Sequence, residues 1–136
     1  MKLLLAILLF GTTFAVLAQD APKQGESKHG PKYNPAAEAV YKGTVDDLRD
    51  RECPVSSGMG SHIMLKVENG DVIEVHLASV EFTKLIEMDV KKGDSVEVTG
   101  WKTDIDGTPA ILAREVKHEK DVFTFRTKEG TPAWTR

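Results

Sequence analysis

The sequence predicts an all-β fold, a small barrel of short strands with one short helix. From Ala37 onward, apolar and polar residues alternate in short runs separated by turn residues, which is typical of a small barrel or sandwich. Only the segment Ser79 to Met88 has a helical pattern, and no long stripe with a period of 3.6 residues occurs. At 136 residues the chain has the length of about one domain, which excludes a large multidomain enzyme.

The N-terminus has the pattern of an export signal. An apolar stretch, Leu3 to Leu17, follows Met1 and Lys2, and it ends in a small residue, Ala18, before polar residues. The stretch is shorter than a typical transmembrane helix, which takes about 20 apolar residues. We therefore expect a cleaved signal peptide over 1–18, with an uncleaved anchor as the alternative. We therefore also expect the protein to be periplasmic or secreted, with no membrane span after cleavage.

Composition divides the remainder of the chain into three parts. Residues 19–36 contain three prolines, two glycines and little apolar surface, so we expect a flexible leader. The barrel is predicted over 37–118, and a C-terminal strand with a Trp-containing tail over 119–136. The net charge of −3 provides no field that would attract a phosphate backbone, so nucleic acid is an unlikely partner.

The alternating runs define the predicted strands. They are Val40 to Leu48, Ser61 to Glu68, Asp71 to Leu77, Ser95 to Trp101, Pro109 to Val116 and Val122 to Arg126. Residues 49–60 have the composition of a loop. Ser79 is the predicted N-cap of the single helix.

The turn between the second and third strands is constrained by the faces of its hairpin. A two-residue Asn69-Gly70 turn would set apolar side chains opposite polar ones. A three-residue loop over 68–70, with Gly70 in the left-handed conformation, pairs Leu65 with Ile73 and His62 with His76. Moving the loop to 69–71 also keeps the faces consistent and pairs Lys66 with Glu74. We prefer the first register because it gives the left-handed position to a glycine.

The predicted order of elements is strand, strand, strand, short helix, strand, strand, with Lys92 to Gly100 (KGDSVEVTG) and Ile111 to Val116 (ILAREV) as the most characteristic segments. This order and these segments resemble the five-stranded OB barrel, and the whole pattern resembles small exported bacterial OB-like proteins that are largely uncharacterised. The C-terminal strand would be an extension of that barrel. The resemblance implies a fold and a usual binding face on strands two and three, but no reaction.

That face and its adjoining loop supply the predicted ligand-binding residues, which are His62, Met64, Lys66, Glu74, His76, Arg49 and Arg51. The face carries no aromatic platform for stacking bases, which again disfavours single-stranded nucleic acid. We therefore expect an exported, non-catalytic binding module without a cofactor, whose partner is an envelope protein, a glycan or a small molecule.

An alternative function is soft-metal handling. Thiolate, thioether and imidazole groups together suit copper or zinc, and the topology brings Cys53, Met59, His62, Met64 and His76 towards one end of the barrel. Their spacing matches no known metal-binding signature, and two histidines on a strand surface are often only solvated.

The only cysteine, Cys53, cannot form an internal disulfide, although it could link two chains. No third group that would orient a Cys53–His62 pair is visible, so catalysis is not expected. Trp134 is predicted to close the open end of the barrel.

Overall fold

The computed structural model describes residues 30–135. Within them, the strands are β1 Glu38–Cys53, β2 Gly58–Val67, β3 Val72–Ser79, β4 Ser95–Ile105, β5 Thr108–His118 and β6 Asp121–Thr124. The helix α1 spans Val80–Leu85, and a 3-10 turn, Pro35–Ala37, precedes β1. The predicted signal peptide, 1–18, lies outside the described residues. No helix in the described part is long and apolar enough to cross a membrane.

Five strands form a closed ring, in the order β1, β2, β3, β5, β4 and back to β1. All neighbours are antiparallel except β3 and β5, which are parallel, and β6 adds to β5 outside the ring. Strand β1 takes part in two pairings, because its first half pairs with β4 and its second half with β2. Gly43 lies where the two halves meet, and a Cβ there would stand 2.4 Å from the carbonyl oxygen of Lys66. The prediction of an all-β, barrel-like fold is confirmed.

The inside of the ring is filled by the inward faces of the alternating strands. Its buried apolar side chains include Ile63, Leu65, Val75, Leu77, Val98, Ile111 and Val116, all at most 1% exposed. Burial of each such side chain stabilises the fold by about 1.5–3 kcal/mol. Because every second residue points inward, residues such as His62 and His76 are directed to the outer side of the ring.

The hairpin of β2 and β3 adopts the preferred register. Leu65 pairs with Ile73 and His62 with His76, while Gly70 has a φ of 89°. Lys66 pairs with Val72 rather than with Glu74, so the shifted register is wrong. The two histidines therefore lie directly opposite each other.

The helix is also confirmed, in a shorter form than predicted. Ser79 is its N-cap, and the hydroxyl oxygen accepts a hydrogen bond from the backbone N–H of Phe82 at 3.3 Å. The helix ends at Leu85 instead of reaching Met88, because the backbone turns at Glu87, which has a φ of 54°.

The predicted loop over 49–60 is wrong. Strand β1 continues to Cys53 and β2 begins at Gly58, which leaves a turn of only four residues, 54–57. The charged residues of this stretch suggested a loop. In the structure they lie on the second half of β1, which follows a register shift between Val45 and Asp47, and their side chains are exposed. The residue at the end of this strand extension is Cys53.

A second buried cluster covers the outer side of the ring. It consists of Tyr33, Cys53, Val55, Ile105, Ala110 and Leu112, with Trp101 and Trp134 packed against it. Tyr33 is 4% exposed, so the described part of the predicted flexible leader, 30–36, is ordered against the barrel. Trp134 packs against both clusters, and its closing of the open end of the barrel stays a prediction.

Candidate metal centre

Three buried side chains from three neighbouring strands meet on the outer side of the ring. Cys53 ends β1, while His62 and His76 form a directly opposed pair on β2 and β3. They are 5%, 1% and 3% exposed. One ligand atom from each lies within 4.8 Å of the others. The structure therefore brings together three of the five residues predicted for a metal site.

His76 is held on both sides of its ring. Its Nδ1 lies 3.2 Å from the Sγ of Cys53, and its Nε2 lies 3.0 Å from Oε1 of Glu74. Arg51 in turn pairs with the same carboxylate oxygen of Glu74. Because the Glu74 carboxylate accepts a hydrogen bond from Nε2, Nδ1 is the nitrogen that faces the sulfur. In the metal-free protein Nδ1 and the Cys53 sulfur share a proton, which a metal ion would replace.

His62 has a complementary arrangement. Its Nδ1 lies 3.2 Å from the backbone carbonyl oxygen of Arg49, which can only accept a hydrogen bond, so Nδ1 carries the proton. The other nitrogen, Nε2, is buried and has no hydrogen-bond partner. A buried nitrogen lone pair without a partner is costly, and a bound metal ion would satisfy it.

The position of Cys53 depends on a close contact with β2. A Cβ on Gly60 would lie 2.6 Å from the Cβ of Cys53 and 2.6 Å from the hydroxyl oxygen of Ser56.

Burial raises the pKa of the Cys53 thiol, but interactions with His62, His76 and the backbone of Ser56 outweigh it and lower this pKa to about 5. The sulfur is therefore a thiolate at neutral pH, which is the form that binds metals.

With a metal ion in place of the proton shared by His76 and Cys53, the donor set is one thiolate and two neutral imidazoles. Sulfur and imidazole ligands favour soft or borderline ions such as copper and zinc. The hydrogen bonds from His76 to Glu74 and from His62 to the Arg49 carbonyl are the kind of outer contacts that orient metal-bound histidines. The residues therefore fit a soft-metal site.

The other predicted site residues lie outside this group. Met59 is 45% exposed, Met64 lies between Asp47 and Glu74 on neighbouring strands, and Lys66 is exposed on β2. Arg51 acts through Glu74, and Arg49 contributes its carbonyl oxygen while its side chain pairs with Asp47. The expectation that the two histidines are merely solvated is wrong, because His62 is 1% and His76 3% exposed.

A cleft of ≈ 450 Å³ adjoins the Cys53–His62–His76 group on the side of His62. Its lining includes Asp50, Ser61, Thr83 and Lys84 as well as His62. The Ser61 hydroxyl donates to Asp50 at 3.0 Å and lies 2.9 Å from the Thr83 hydroxyl. The cleft is thus lined by hydrogen-bonded polar groups and reaches His62, one of the three side chains of the candidate metal centre.

Sequence reasoning missed three residues that shape the site, Gly60, Ser56 and Arg126. Arg126 is 4% exposed, and its Cζ lies 5.4 Å from the ring centre of Tyr33, a member of the cluster that contains Cys53. None of the three has a local sequence signal that would have pointed to the site, although Pro54 after Cys53 is consistent with the turn found over 54–57.

Comparison with known proteins gives one family. The model of the MamS/MamX magnetosome protein family matches residues 38–123, which is well over half of the chain and includes Cys53, His62 and His76. A search of curated proteins finds no match. The chain belongs to the MamS/MamX magnetosome protein family.

Proposed function

We propose that this protein binds a soft metal ion, copper or zinc, through Cys53, His62 and His76. The observation that carries this proposal is the pair of buried histidines, each of which donates a hydrogen bond through one nitrogen and turns the other nitrogen to the candidate metal position. A thiolate lies 3.2 Å from one of these nitrogens, and all three donors are within 4.8 Å of one another.

The burial of the group supports binding rather than catalysis. A nucleophilic cysteine has to reach a substrate, whereas the thiol of Cys53 is 5% exposed and both imidazoles are covered. A buried metal site of this kind holds its ion and exchanges it slowly with solvent. We infer a non-catalytic metal-binding module, exported and of the OB type, and the strand order of the ring supports this type of fold.

The family is described as a magnetosome protein family, and an association of this chain with magnetosomes is part of the proposal. The metal-binding proposal does not depend on that association, because it rests on the donor atoms alone.

Anaerobic calorimetry tests the proposal on the metal-free protein. Titration with Cu(I) or Zn(II) should show one metal ion per chain with submicromolar affinity for at least one of the two ions. Cys53→Ser and His62→Gln should abolish this binding. His118→Gln is the matched control, since His118 pairs with Asp94 outside the cluster and should leave binding unchanged. No heat above dilution with either metal would end the proposal.

The cleft beside His62 supports a second candidate function, the binding of an envelope protein, a glycan or a small molecule. Its polar lining and its volume of ≈ 450 Å³ suit a small polar group or a partner side chain. A pull-down from an envelope fraction should retain a partner on the wild-type protein and lose it with Lys84→Glu. Lys66→Glu, on exposed β2 surface away from the cleft, is the control; retention of the partner by the Lys84 variant would contradict this function.

A further inference from the structure

The number of donors in the metal centre is the first guide to its metal. Among the His, Cys, Asp and Glu side chains of residues 30–135, three form the cluster, and the Glu74 carboxylate is bonded to His76 instead of joining them. Structural zinc sites in proteins take four ligands, whereas one sulfur and two nitrogens satisfy a three-coordinate Cu(I) ion.

The charge surrounding the site is the second guide. Glu74 and Arg51 form an ion pair, so their charges cancel. The Cys53 thiolate then contributes one negative charge to a region whose three ligands are at most 5% exposed. A monovalent ion cancels that charge, whereas a divalent ion leaves an excess positive charge, which is unfavourable away from water.

Arg126 strengthens this preference. It is 4% exposed, and its guanidinium lies over the rings of Tyr33 and Trp134, with Cζ 5.4 Å and 5.0 Å from their centres. It donates one hydrogen bond, at 3.0 Å, to the carbonyl oxygen of Gly130, and its Nε has no partner. None of the described carboxylates forms an ion pair with it.

Tyr33 connects this cation to the metal centre. Its ring packs in the same buried cluster as Cys53 and also faces Arg126. Burial lowers the pKa of the guanidinium to about 10, and the charges of Tyr33 and Cys53 act in the opposite direction. Tyr33 keeps its proton at neutral pH, because burial and its hydrogen bond to Glu38 raise its pKa. Cys53 is therefore the negative group that acts on Arg126, so with a metal-bound thiolate a monovalent ion leaves one positive charge in this region and a divalent ion leaves two.

We propose that the Cys53–His62–His76 site selects copper(I) over zinc(II), and that the buried cation of Arg126 sets this selectivity. The inference rests on the proposed metal-binding function. Arg126 does not touch the metal; it repels a divalent ion about twice as strongly as a monovalent ion at the same position. Its charge thus lowers the affinity for zinc more than the affinity for copper(I), without contacting the metal.

Competition experiments on the full-length protein test the inference. Chromophoric chelators specific for Cu(I) and for Zn(II) give the two dissociation constants under anaerobic conditions. Arg126→Gln removes the charge and should reduce the preference for Cu(I) over Zn(II) by about tenfold, since the divalent ion gains more from the loss of a cation. Arg126→Lys keeps the charge and should leave the ratio near that of the wild type.

X-ray absorption of the copper-loaded wild-type protein supplies a measurement that does not depend on a variant. The expected spectrum is that of Cu(I) with one sulfur and two nitrogen ligands. A wild-type protein that prefers Zn(II), a four-coordinate copper ion, or an unchanged ratio in a folded Arg126→Gln variant would overturn the inference while leaving metal binding intact. Failure of both metals to bind would instead overturn the proposed function.

Discussion

Glu74 and His76 stand two residues apart on β3 and are joined by a contact of 3.0 Å between Oε1 and Nε2. The contact fixes the imidazole with Nδ1 towards Cys53, and Arg51 fixes the carboxylate from the other side. A chain of contacts therefore runs from the surface of β1 to the sulfur. The orientation of one histidine of the candidate metal centre therefore depends on Glu74 and Arg51, which lie outside the three-residue group.

Glu74→Ala should weaken metal binding without removing a ligand. Loss of an outer hydrogen-bond partner of a metal-bound histidine lowers affinity by about 10- to 100-fold. Chelator competition measures this directly. Glu97→Ala is the control, because Glu97 pairs with the exposed Lys42 on the far side of β1. Equal affinity in the two variants would show that Glu74 does not orient His76.

The Cys53 thiol should titrate far below an ordinary thiol. Although burial raises its pKa, the imidazoles and the Ser56 backbone bring it to about 5 in the folded, metal-free protein. Absorbance at 240 nm against pH reports the thiolate, and the expected midpoint is near this value. A midpoint near about 8.5, as for a free thiol, would contradict the assignment.

The same shift makes the stability of the metal-free protein depend on pH. An unfolded thiol titrates near about 8.5, so between that pH and about 5 the unfolded state binds more protons than the folded state. The free energy of unfolding should therefore fall as the pH is lowered through this window. Urea unfolding at several pH values measures the slope, and Cys53→Ser should flatten it. An equal slope in both proteins would count against a stabilised thiolate.

Local patterns were sufficient to predict most of the fold. The alternation of Ile63 and Leu65 against Ile73 and Val75 allows one hairpin register with a glycine at the left-handed position, and that register occurs. The extension of β1 was not predictable in the same way. Its charged residues face solvent, and only pairing with β2, a contact between distant residues, makes this stretch a strand.

The candidate site was predicted in part for the same reason. The hairpin register places His62 opposite His76, and the cross-strand pair could be derived from the sequence. The third member of the site, Cys53, lies in a cluster with Tyr33 and Val55, which come from other segments of the chain. The position of Cys53 requires the strand extension and the absence of a Cβ on Gly60, and neither has a local signature.

An ion pair at the start of the barrel should contribute measurably to stability. Arg114 donates two hydrogen bonds of 2.9 Å to the two carboxylate oxygens of Glu38, and both side chains are largely buried. Glu38→Gln leaves the arginine with an imperfect partner and should lower the free energy of unfolding by about 1–3 kcal/mol. In chemical denaturation, Glu97→Gln in the exposed pair with Lys42 should change it by less than about 0.5 kcal/mol. Similar values for the two variants would contradict this ranking.

The C-terminal tail should stabilise the barrel. Removal of residues after Glu129 takes away Trp134, which packs against both buried clusters, and the Gly130 carbonyl that accepts from Arg126. The melting temperature should fall by about 10 °C or more, because a buried cation loses its hydrogen bond and apolar surface is exposed. Removal of residues after Trp134 is the control and should have little effect. An unchanged melting curve for the longer truncation would remove this role.

Gly60→Ala should disturb the metal centre more than the fold as a whole. The added Cβ would lie 2.6 Å from the Cβ of Cys53 and from the Ser56 hydroxyl, so Cys53 has to leave its present position beside the histidines. Gly43→Ala is the matched control, because its Cβ would stand 2.4 Å from the carbonyl oxygen of Lys66, in the barrel wall. Both variants should melt earlier, yet only Gly60→Ala should lose metal affinity per folded chain, as chelator competition below the melting transition would show. If Gly60→Ala bound metal as tightly as Gly43→Ala, the close packing of Cys53 on β2 would not be what positions the sulfur.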